Sequence, residues 1–277
     1  MDIRGKLRFL RQNIVLYITG CFLILGMKYL YSTADCEGLR WILGPTARWV
    51  ETLSGIPFIY EPGLGYANHG LRFLIAPSCS GVQFLIITAA MLIFSFTHLV
   101  TESRLAAKSR LMDGHRSQAI RRAALGLGWI ALSLLLSYGF TIFVNGLRIV
   151  VAIYLPSFFE RYGALHGLLT PDRLHTMIGA VVYFAALLTV HRLVGLFFYR
   201  DDRTEKDRPT MRIARKCLSP VFWYFFIVLG VPFLNRAYHK NHGQFAEFAL
   251  LVTLCCGCVL LLYCIGAMIR KGFRSRG

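Results

Sequence analysis

The stretch LIAPSCSGVQFLIITAAMLIFSF, Leu74 to Phe96, decides the fold. From Gly81 the chain stays apolar as far as Val100, the ~20 residues that cross a bilayer as a helix. A cysteine stands at the threshold of that run, boxed between Pro77 and Gly81. Pro77 biases Ala76 away from helical backbone, so the helix is predicted to start between Ser78 and Gly81, with Cys79 in its first turn. Unpaired N–H groups and the helix dipole at that end favour a thiolate. Gly81 lets another backbone or a substrate come close.

Working outward, five further apolar runs have spanning length. The six predicted spans are Ile14–Tyr31, Gly81–Val100, Ala123–Val144, His175–Phe198, Leu218–Leu234 and Phe248–Ile269. Charged residues make up 16% of the 277-residue chain and hydrophobic ones 56%, against about 25% charged in a soluble domain. No polar segment is long enough to bury a core of its own. The chain reads as an all-α polytopic membrane protein, a single membrane-embedded domain over 1–277. The basic start MDIRGKLRFLRQN has the look of a signal peptide, but no clear cleavage site follows, and a retained first helix is expected.

The net charge of +17 would point to nucleic acid in a soluble protein. Here its location decides otherwise, and no nucleic-acid partner is expected. With six spans, one side collects the N-terminus, loops 101–122 and 199–217 and the C-terminal tail, with 21 Lys/Arg. The other side has eight: Arg40, Arg48, Arg72, Arg148, Arg161, Arg173, Arg236 and Lys240. The acidic residues split seven and seven, so Lys and Arg carry the bias. The positive-inside rule puts both termini in the cytoplasm.

Two outer segments are apolar but short. LRWILGPTARWVETL (39–53) reads as an interfacial amphipathic helix. IVVAIYLPSFF (149–159), with Pro156 inside, reads as re-entrant, interfacial or a half-helix. Counting both as spans would raise the total to eight, against the charge bias between them. Between Ile56 and Ala76, aromatic and β-branched residues flank Pro62-Gly63, which predicts a short extracytoplasmic hairpin leading to Cys79.

Three residues on the outer side carry possible chemistry. Cys79 is the first; its bland alternative is a packing cysteine. Arg148, in FVNGLRIVV, follows Asn145-Gly146, which is predicted to break the third span. A guanidinium set into an apolar segment is costly without a partner or a task; the alternative is snorkelling to lipid phosphate. His175, in LTPDRLHTMIGAVVYF, sits where Thr170 or Asp172 caps the fourth span with Pro171 in its first turn. It shares that side with His69, His166, His239 and His242, any of which is an ordinary interfacial histidine. A nucleophile, a cation and an imidazole are together the parts of acyl-transfer chemistry. Of the eight Cys, six lie within or at the ends of apolar segments and only Cys36 and Cys79 in or beside a polar loop; there is no CxxC pair or Cys/His metal spacing, so no metal or cofactor is expected. A transporter or channel is the main alternative. Such proteins place an acid near the midplane, whereas all 14 Asp/Glu here fall in loops or at span ends.

APSCSG (76–81), NGLRIV (145–150) and HTMIGAVVYF (175–184) resemble the Cys, Arg and His boxes of the exosortase/archaeosortase family. Cys79, Arg148 and His175 match in order and chemistry. The resemblance covers about 60–195, and residues 31–66 are similar to the exosortase K subtype. That family is described with about eight spans. The resemblance implies a membrane cysteine transpeptidase of a prokaryotic plasma membrane. Its substrates would be exported proteins ending in a short motif, a transmembrane helix and a basic tail. It would cleave at the motif on the extracytoplasmic face, through a Cys79 acyl-thioester, and pass the new carboxyl to a cell-envelope acceptor. Arg148 would stabilise the oxyanion and His175 move the proton, or the two would exchange roles. Membrane lipid is the remaining partner.

Overall fold

The computed structural model describes residues 3–102, 115–161, 170–198, 209–235 and 242–274. Its helices are α1 (Ile3–Thr33), α2 (Arg40–Ser54), α3 (Val82–Glu102), α4 (His115–Arg161), α5 (Pro171–Phe198), α6 (Pro209–Phe225), the short α7 (Val231–Leu234) and α8 (His242–Arg274), with a π-helical turn, Phe226–Gly230, joining α6 to α7. Six helical segments are long and apolar enough to cross a membrane: Asn13–Thr33, Pro77–Thr101, Ile120–Leu155, Asp172–Phe198, Cys217–Leu234 and Gly243–Ala267. The protein is an all-α polytopic membrane protein, as its apolar periodicity predicts.

The run that opens the sequence reading is the hub of the bundle. In α3, 76% of the apolar window is buried inside the protein, against 11–33% in the other five. It packs on α1, α4, α5 and α6, while α8 lies against α5. The buried core joins Phe84, Ile87, Met91 and Phe96 of α3 to Phe184 and Leu187 of α5 and to Tyr224 and Val228 beyond. The outward faces stay apolar, with Phe22, Leu135, Phe197 and Leu262 exposed. That pattern fits lipid as the outer solvent.

Three expectations change. First, Asn145-Gly146 does not break a helix: α4 runs unbroken through both residues and through Pro156 to Arg161. The segment 149–159 is therefore the end of α4, not a separate half-helix or re-entrant piece. Gly146 serves close packing instead. A Cβ there would stand 2.3 Å from Trp49 Cδ1 of α2, and Trp49 Nε1 donates to the Phe143 carbonyl at 3.3 Å.

Second, α2 is amphipathic, but its apolar face covers protein. Ile42, Leu43 and Val50 are fully buried, and the helix packs along α4. The Tyr138 hydroxyl on α4 donates to the Trp41 carbonyl at 3.0 Å.

Third, the hairpin is a three-stranded antiparallel meander, β1 (Ile59–Glu61), β2 (Gly65–Asn68) and β3 (Phe73–Ile75). Its first turn is the expected one at Pro62-Gly63, with Gly63 at φ +77°. The added strand follows from Asn68, whose side chain caps the second turn by accepting from Leu71 N–H at 2.8 Å. The sheet is tied back to the helices by Glu51, which accepts from Phe58 N–H at 2.7 Å. The Tyr60 hydroxyl bonds Glu37, and that carboxylate raises the phenol above its ordinary range.

Candidate active site

β3 delivers the chain to a single tight turn, Pro77–Cys79, in which Cys79 N–H bonds the Ala76 carbonyl at 2.8 Å. Here the sequence reading needs correcting. Cys79 is not in the first turn of α3, because Gly81 intervenes at φ +74° and its carbonyl takes the first helical bond, from Leu85 N–H. Gly81 caps the helix, and Cys79 sits two residues ahead of that cap. The group that approaches Gly81 is neither backbone nor substrate but Asn145. A Cβ on Gly81 would lie 2.9 Å from Asn145 Cγ. Glycine is needed there twice, for its conformation and for its missing side chain.

Asn145 is the centre of the site. It is fully buried. Its Nδ2 donates to the Cys79 carbonyl at 2.7 Å. Its Oδ1 accepts from Arg148 Nη1 at 3.3 Å and from the Tyr183 hydroxyl at 2.7 Å. Arg148 Nη1 also donates to the Tyr183 oxygen, at 3.1 Å. The three side chains close a ring of hydrogen bonds whose donors and acceptors are all assigned, and the amide of Asn145 has only one workable orientation. Tyr183 is held in turn by stacking on Phe84, ring centroids 4.6 Å apart.

Arg148 is 5% exposed. It is enclosed by protein, so it does not snorkel to lipid phosphate. Its Nη2 meets His175 Nε2 in a hydrogen bond. A guanidinium has no acceptor, so the imidazole must offer its Nε2 lone pair, which places the ring proton on Nδ1 in this arrangement. Asn145, which bonds the Arg148 guanidinium, also bonds the Cys79 carbonyl. Arg148 and Asn145 together link the cysteine's backbone on one side to the histidine on the other.

The helix that positions His175 starts as the sequence predicts. Of the two candidate caps, Thr170 is the one used: its Oγ1 accepts from Arg173 N–H at 3.3 Å. His175 is one turn further along and exposed. His69 lies in the turn between β2 and β3, bonded to Glu61 at 2.6 Å. His166 and His239 fall outside the described residues, and nothing is described of the side chain of His242. Cys36 lies in the turn between α1 and α2, as expected, and is buried, 4% exposed.

A cavity of about 200 Å³ opens beside the network. Ser78, Gly81, Gln83, Arg148, His175 and Thr176 supply its polar lining. Phe84, Ile87, Ala180, Val228, Phe248 and Val252 supply its apolar wall. Cys79 itself, 8% exposed, is not among the lining residues, though Ser78 and Gly81 on either side of it are. No group of three or more His, Cys, Asp or Glu able to hold a metal occurs among the described residues.

Sequence reasoning named Cys79, Arg148 and His175, and the structure brings all three together. It gave no role to Asn145 or Tyr183, although both stand inside the quoted boxes. Chemically the arrangement offers a soft nucleophile beside a permanent cation, and a neutral imidazole at the mouth of a cavity. Comparison with known protein families, with curated proteins and with solved structures found no match for this chain.

Proposed function

We propose that this protein is a membrane cysteine transpeptidase or endopeptidase of the exosortase kind. In this reading it cleaves exported proteins near their membrane anchor and forms an acyl-thioester on Cys79. The observation that carries the reading is the Arg148 guanidinium, buried, bonded to His175 Nε2 and joined through Asn145 to the Cys79 carbonyl. A buried cation held by a network that ties a cysteine's backbone to an imidazole is an expensive arrangement in a bundle that does not need it for packing.

The geometry supports a definite order of events. At rest, Arg148 occupies the His175 lone pair. A substrate carbonyl entering the cavity competes for the Arg148 donors, and Nε2 is released. His175 then takes the Cys79 proton, the thiolate adds to the carbonyl, and Arg148 faces the oxyanion. Collapse breaks the C–N bond as His175 returns the proton to the leaving amine. The thioester is resolved by an envelope nucleophile or by water. The Lys/Arg asymmetry of the loops supports an extracytoplasmic site in a plasma membrane, with both termini inside.

The test uses an exported protein encoded beside this one and ending in a short motif, a spanning segment and an Arg-rich tail. Co-expressed with the wild-type chain, it should lose its tail, as read by intact mass. Cys79→Ala should leave it whole, while Cys36→Ala should not. Equal processing by the Cys79→Ala protein ends the proposal.

A further inference from the structure

Tyr224 belongs to α6, which contributes nothing to the ring of hydrogen bonds around Asn145. It lines the same cavity as Arg148 and His175 and is 3% exposed. Its ring is fixed by edge contacts, centroids 5.2 Å from Phe184 and 6.0 Å from Phe225. Tyr183 lines that cavity as well. Yet among the described residues no group hydrogen-bonds that hydroxyl. The hydroxyl is not among the fully enclosed unpaired atoms, so it keeps access to the cavity it lines and is open to a ligand.

The backbone supports the same conclusion. The π-helical turn Phe226–Gly230 follows Tyr224 at once, and its Val228 lines the cavity too. Turns of this kind are rare in helices and recur at functional sites. The cavity also has an apolar wall that includes Phe84, Ile87, Val228 and Val252, and its volume of about 200 Å³ admits one large side chain with its backbone rather than a helix.

Building on the proposed peptide-cleaving activity, we infer that Tyr224 is a substrate-binding residue. Its hydroxyl donates to a backbone carbonyl of the peptide, and the adjoining large apolar side chain fills the cavity. The bonding need not be at the scissile carbonyl, because Cys79 is not among the residues that line the cavity.

Three thiol probes, a Phe and a Gly peptidyl chloromethyl ketone and iodoacetamide, test this on the purified full-length protein, with alkylation quantified at Cys79 by mass spectrometry. Acetyl-Ala-Ala-Phe chloromethyl ketone occupies the cavity; iodoacetamide reports thiol reactivity alone. Tyr224→Phe keeps the ring and removes one donor. It should slow the peptidyl probe about 3–10-fold, the worth of one neutral hydrogen bond, and leave iodoacetamide within about twofold. Ala180→Leu, which fills the cavity, should slow the Phe probe more than its Gly-terminated counterpart. Wild-type rates for Tyr224→Phe with the Phe probe and iodoacetamide overturn the inference. So does a wild-type protein that does not prefer the Phe probe over the Gly one. A Cys79 inert to every probe would instead overturn the nucleophile and the proposed function beneath it.

Discussion

Arg148→Lys separates a structural cation from a chemical one. The guanidinium serves three partners from two nitrogens: Nη1 bonds Asn145 at 3.3 Å and Tyr183 at 3.1 Å, and Nη2 bonds His175. A lysine ammonium keeps the charge but is a single point on a flexible stem. It can reach the Asn145–Tyr183 pair or His175, not both sides at once. A hydrogen bond to a charged group is worth about 1.5–3 kcal/mol. Forfeiting one or two therefore removes on the order of 3 kcal/mol from the arrangement that meets the oxyanion. That corresponds to a rate loss of roughly 10²-fold. Insertion should survive, since the buried charge keeps at least one partner. The assay is substrate processing at matched enzyme levels, with iodoacetamide labelling of Cys79 alongside. Near-normal processing by the Lys variant would refute the reasoning and leave Arg148 as a charge that merely holds α4 and α5 together.

Other perturbations probe the parts around it. Gly81→Ala forces a side chain into the left-handed region and against Asn145 2.9 Å away; about 1–2 kcal/mol of backbone strain plus the overlap should lower the thermal midpoint and cut processing, and an unchanged Ala variant would show that Asn145 does not need its place. Asn145→Ala strips the donor from the Cys79 carbonyl and should abolish processing while the chain still inserts; retained activity would remove Asn145 from the site. His175→Ala should slow processing about 10²–10⁴-fold, the usual cost of losing a general base, whereas His69→Ala should leave it within about twofold; the reverse order would move the base. A cysteine placed at Ser78 should react with an impermeant maleimide in intact cells and one within loop 101–122 should not; the opposite pattern would invert the orientation.

The six spans were legible because each is a property of its own residues: about twenty apolar positions in a row need no distant partner to announce a helix. The ends of α4 were not legible, because they depend on contacts made across the chain. Asn145-Gly146 looks like a breaker locally, yet Asn145 is satisfied by a carbonyl 66 residues earlier and Gly146 is filled by Trp49. Propensity is a weak prior, and such contacts override it. The third strand was hidden for a similar reason, since its turn is closed by the Asn68 side chain. The candidate trio was readable because Cys, Arg and His are conspicuous beside apolar runs. Their supporting residues were not. An Asn at a supposed break and two Tyr among many aromatics carry no signal until the helices are assembled around them.

The length of α4 has a bearing on where chemistry can happen. Its apolar stretch, Ile120–Leu155, has 36 residues, about 54 Å of helix at 1.5 Å per residue, while the hydrocarbon layer is about 30 Å thick. Unless tilted steeply, α4 outruns the lipid well before Asn145 and Arg148, and over that overhang α2 takes the place of acyl chains as its apolar cover. The helix then acts as a measuring rod. It holds the thiol and guanidinium at a set height above the lipid tails, with α2 as the collar that makes the height tolerable. A substrate anchored by its own spanning helix would be cut at whichever peptide bond stands at that height, so the register of the cut would follow the number of residues between its anchor and its motif.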